Sequence, residues 1–96
     1  MTLIKIAKRD GELIIEAIGH ATGSPEACAG ISALMGAWSC WCWRNGGDTD
    51  EGDGEYSGTC KCTRAGEDVL RTIAGGLERI RLAVPGALQI DVETDW

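Results

Sequence analysis

The chain carries one histidine and five cysteines, and the histidine, His20, precedes the first cysteine, Cys28, by eight residues. An imidazole and a thiol are the two groups of a minimal nucleophilic pair: the ring takes the thiol proton and the sulfur attacks a carbonyl carbon. The two must come within about 2.6–3.2 Å between heavy atoms, looser in an empty site. The other four cysteines, in Cys40-x-Cys42 and Cys60-x-Cys62, offer a different chemistry. Four thiolates in two close pairs match the ligand count of a structural zinc site.

The elements around His20 and Cys28 favour the pair. Residues 2–8 and 12–19 read as two strands joined by Asp10-Gly11, a strong two-residue hairpin signal, so His20 stands at the end of the second strand. A helix then starts with Ser24 as N-cap, Pro25 at the first helical position and Glu26 at the positive end of the macrodipole. Cys28 falls in its first turn. Helical side chains lean toward the N-terminus, which carries the sulfur back over that turn and toward the loop that begins at His20. Unpaired backbone N–H groups ease ionisation of such a thiol, and the carboxylate of Glu26 opposes it. Ser32, one turn below Cys28, has two readings: a hydrogen bond near the sulfur, or one to its own i−4 carbonyl.

Gly19-His20-Ala21, a short loop, and then Cys28-Ala29-Gly30-Ile31-Ser32-Ala33-Leu34 resemble the Prp family of ribosomal-processing cysteine proteases. The motif-grade likeness covers residues 19–34, and the order of elements extends it loosely over the chain. It implies that His20 and Cys28 are the catalytic dyad, with Gly19 and Ser32 in support. It also implies a homodimer, no cofactor, and a protein substrate: the N-terminal extension of a large-subunit ribosomal protein, or a phage scaffold or capsid protein. Family members carry a longer loop, often with Asp three positions before the cysteine, where this chain has Pro25. That departure bears on specificity more than on chemistry.

The first helix is expected from 25 to about 42, burying Ile31, Leu34, Met35, Trp38 and Trp41 or Cys42, with Gly30 and Gly36 allowing close approach of the sheet. In a helix Cys40 and Cys42 lie about 200° apart, which argues against one zinc ion held by all four thiols. The crowd of Trp38, Trp41 and Trp43 reads as core plus subunit interface, with a peptide platform as the other reading. Arg44 to Glu55 is rich in glycine and acids but fails the calcium-loop pattern, because its fifth and sixth positions from Asp48 are Gly52 and Asp53. It reads as a solvated hairpin or mobile loop. Tyr56 to Thr63 alternates as a strand with Cys60 and Cys62 toward the core. A helix from about 66 to 83 follows, its Gly75-Gly76 suggesting tight packing on the first helix or a slight bend, and the strand Leu88-Ile90-Val92 ends in Asp95-Trp96.

The result is one α+β domain over residues 1–96: a ββαβαβ sandwich, mostly antiparallel, with two helices on one face. Its strands hold more apolar residues than one face needs, so the open face invites a partner. A net charge of −6 with scattered Lys and Arg argues against nucleic acid. No stretch approaches the roughly 20 apolar residues of a membrane span, and the N-terminus lacks the regions of a signal peptide. A cytoplasmic protein with free thiols is the expectation. The alternative to an enzyme is a protein-binding module of the same fold, using the tryptophan patch or a four-cysteine zinc site.

Overall fold

Alternation of apolar and polar residues builds the first two strands, β1 (Thr2–Arg9) and β2 (Glu12–Ile18). In this computed structural model, which describes residues 1–21 and 23–93, their turn is Asp10-Gly11, with φ of +53° and +77°. Two left-handed residues are what a tight hairpin between right-twisted strands requires. That turn fixes the register from Arg9 opposite Glu12 to Leu3 opposite Ile18. Ile4, Ile6, Leu13, Ile15 and Ala17 then fall on one face, and all are buried.

Helix α1 (Pro25–Arg44) follows, then β3 (Asp48–Gly52), β4 (Glu55–Lys61), helix α2 (Arg64–Ala83) and β5 (Leu88–Glu93). The five strands lie in the order β3-β4-β2-β1-β5. All neighbours are antiparallel except β1 and β5. Since β4 runs parallel to β5 on the far side of two strands, the chain must cross the sheet between them, and α2 is that crossover. The expected end of the final strand at Asp95-Trp96 lies outside the described residues.

The order is ββαββαβ: the α+β sandwich with its mostly antiparallel sheet and two helices is as expected, with one strand added. The acid-rich link is a hairpin, as one of its two readings had it, and its first arm is the edge strand β3. Trp38 anchors α1 on this half of the sheet. It is fully buried, and its indole N–H donates to the Gly58 carbonyl at 2.9 Å. A Cβ at Gly58 would stand 2.7 Å from the indole Cδ1, so only glycine lets the ring lie flat on β4. Of the other tryptophans, Trp41 is half-buried and Trp43 is exposed, donating to Thr49 Oγ1 at 2.9 Å.

The glycine expectations are met in part. Gly76 takes Leu34 of α1 at 3.1 Å from its missing Cβ, as helix packing predicts. Gly30 also has a close neighbour, but it is Ile80 of α2 at 2.9 Å and not the sheet, while Gly36 faces open space. On the open face of the sheet, Leu3 and Ile18 adjoin across the register and remain exposed. No helix among the described residues is long and apolar enough to cross a membrane.

Candidate active site

Three chain segments meet at one end of the sheet. β2 stops at Ile18 because Gly19 turns at φ +92°, and a Cβ there would collide with the Met1 carbonyl oxygen at 2.6 Å. The Gly19 N–H donates to the Gly54 carbonyl at 2.8 Å, which ties this strand end to the β3–β4 turn. His20 emerges exposed beside that turn. Its Nε2 lies 3.6 Å from Asp53 Oδ1 and 3.0 Å from where a Gly54 Cβ would be.

The helix start is built as its sequence dictates. Ser24 is extended and its Oγ accepts the Ala27 N–H at 3.2 Å, Pro25 takes the first position, and Glu26 lies in the first turn. The Cys28 N–H donates to the Ser24 carbonyl at 3.1 Å, and the thiol is half-buried. Pro25 has no N–H, and those of Ala27 and Cys28 are engaged within the cap.

His20 and Cys28 line the same cavity, of about 320 Å³, together with Gly19 and Ser32. Ile31, Met35 and Tyr56 supply apolar wall, and Glu51 and Glu55 come from the hairpin. The structure thus brings together all four residues singled out at residues 19–34. Tyr56 is fixed from below: its hydroxyl donates to the Met35 carbonyl at 3.1 Å and pairs with Ser39 Oγ at 2.7 Å. Burial pushes the Tyr56 phenol up, against the opposing pull of Ser39. Glu51, Asp53, Gly54 and Tyr56 were not foreseen here. The Asp53-Gly54 dipeptide carries the same turn signal as Asp10-Gly11, but nothing local says that its turn lies against the end of β2.

The four remaining cysteines do not converge, which corrects the zinc alternative. Cys40 is exposed on α1, and Cys42, two residues on and on nearly the opposite side of the helix, is buried against Cys60 of β4. Cys62 lies just past the end of β4, half-buried against the core, and its thiol donates to Glu67 Oε1 at 3.2 Å. That same oxygen accepts from Lys8 Nζ at 2.7 Å. The Lys8 ammonium, then the Cys62 thiol, hold the Glu67 carboxyl below its usual range. Among the described residues no three His, Cys, Asp or Glu side chains are grouped to hold a metal ion.

A five-stranded, mostly antiparallel sheet with two helices defines a class of small α+β domain whose fold solved structures share. An essential ribosomal processing protease, Prp, from Staphylococcus aureus, in complex with a covalently linked product peptide, matches with a TM-score of 0.77 and 17% identity over 97% of this chain and 100% of that one. The same protease with a substrate peptide gives 0.72 and 16% over 97% and 100%. A hypothetical protein from Staphylococcus aureus gives 0.64 and 13% over the same shares. No protein-family model and no curated protein matches the chain. At these identities the likeness establishes the fold.

Proposed function

We propose that residues 1–96 form one Prp-like domain, a cysteine endopeptidase that removes the N-terminal extension of a large-subunit ribosomal protein or trims a phage scaffold or capsid protein. His20 accepts the Cys28 thiol proton while the sulfur bonds to the scissile carbonyl carbon. Collapse of the tetrahedral adduct breaks the C–N bond, and the imidazolium returns the proton to the leaving amine. Water, its proton taken by His20, then hydrolyses the thioester and regenerates the thiol. No cofactor enters this sequence. Ser32 and Gly19 support the dyad, one from the cavity wall a helical turn after Cys28 and the other by turning the chain ahead of His20.

One observation carries the reading: His20 and Cys28, from a strand end and a helix start, line a single cavity in the fold of a peptide-bound protease. A product peptide covalently linked to that protease fits a nucleophilic route. The five free cysteines fit a reducing cytoplasm. The adjoining Leu3 and Ile18 on the open sheet face fit a homodimer. Cleavage of synthetic peptides spanning ribosomal extension sites and capsid processing sites tests the activity. The expected result is hydrolysis of one set by the native chain and none by Cys28→Ala with an unchanged circular dichroism spectrum. Undiminished cleavage by Cys28→Ala removes the mechanism, and inactivity of the native chain on both sets favours a binding module.

A further inference from the structure

The His20 nitrogen that faces the β3–β4 turn is Nε2, with the Asp53 carboxylate 3.6 Å away. The ring rests close on the backbone at Gly54, whose φ of +71° disfavours a side chain and whose missing Cβ would stand 3.0 Å from Nε2. The turn is fastened to the strand end that carries His20 by the Gly19 N–H to Gly54 carbonyl bond. We infer that Asp53 is the counterion and positioning residue of His20, holding the ring through Nε2 so that Nδ1 exchanges the proton with Cys28. The inference rests on the dyad reading proposed above.

The chemistry follows from the two inequivalent nitrogens of imidazole. A carboxylate beside Nε2 favours the tautomer with its proton there, which leaves the Nδ1 lone pair to accept from the thiol. Once that proton has moved, the ring is cationic, and Asp53 stabilises it in the thiolate–imidazolium pair and in each later step that protonates the ring. At 3.6 Å the contact is longer than the 2.7–3.2 Å of a usual N–H···O bond, and it needs only a small closure of the turn to become one. Both side chains are more than half exposed, at 58% and 103%, so solvent screens the attraction and the effect is modest.

Other titratable groups face the ring from the packed elements. Glu51 and Glu55 come from the hairpin and Cys28 from α1, with Glu26 in the same helical turn as Cys28. From the head of β1, Met1 packs its carbonyl on Gly19 and carries the α-amino group. The experiment therefore compares Asp53 with its acidic neighbours.

Because the chain has a single histidine, its ring resonances report His20 alone. In the neutral ring the proton is expected on Nε2, read from the ring nitrogen chemical shifts, and Asp53→Ala should move the tautomer ratio toward Nδ1–H. Asp53→Glu should stay closer to the native ratio, and Glu51→Gln and Glu55→Gln should move it less than Asp53→Ala. In peptide cleavage, Asp53→Ala should lower kcat about two- to five-fold with KM little changed, and Asp53→Glu should restore part of the rate. An unmoved tautomer ratio in Asp53→Ala overturns the pairing. A moved ratio with native kcat overturns the positioning role. The tautomer measurement needs no turnover, so failure of the protease reading, seen with Cys28→Ala, is read separately.

Discussion

The Cys42 thiol is pushed from an ordinary 9.0 up to about 12, first by burial and then by the neighbouring Cys60. Burial also pushes Cys60 up. A thiol harder to ionise folded than unfolded gives stability that is fully present below about pH 9 and is lost as pH climbs toward 12, because only the unfolded chain then releases the proton. Urea midpoints for the native chain should therefore fall steeply above pH 9. Cys42→Ala should flatten that slope while lowering stability at neutral pH through the space it leaves. An unchanged slope would show that the buried thiol does not govern the alkaline limb. At this scale His20 and Cys28 were legible, because residue type plus local signals, a strand end and a capped helix start, sufficed to place them. Asp53 and Tyr56 were not, because strand pairing and not neighbouring sequence brings them to the cavity.

The first turn of α1 shows how far an element's own signals reach. Ser24, Pro25 and Glu26 each do what their chemistry suggests, and Ser24 Oγ accepts one of the otherwise orphaned N–H groups. Ser24→Ala should cost about 1 kcal/mol in chemical denaturation, within a range of roughly 0.5–2. It should also depress peptide cleavage by more than its stability loss explains, since Cys28 rides on that turn. Equal stability would mean that the cap contributes nothing net. β3 escaped the sequence for a physical reason: five residues with Asp48, Asp50 and Glu51 show no apolar alternation, since an edge strand with its outer side in water needs none. The helix-packing role of Gly30 escaped for a related reason. A small residue announces a close neighbour without naming it.

For the molecule as a whole, the surplus of apolar strand residues was readable and so was its consequence, an uncovered patch at Leu3 and Ile18. The proposed homodimer places that patch against a second copy, and sedimentation velocity checks it. A dimer for the native chain and a folded monomer for Leu3→Lys paired with Ile18→Lys is the expected outcome. A native monomer at tens of micromolar would end the dimer proposal.

Strand β1 has one neighbour next to it in the chain and the other at the far end. It pairs with β2 across a two-residue turn, and with β5 only after residues 88–93 exist. During synthesis, then, one flank of β1 stays open until residues 88–93 have left the ribosome. The histidine, the cysteine and the hairpin beside them are all made earlier, on a sheet that its last strand has yet to close.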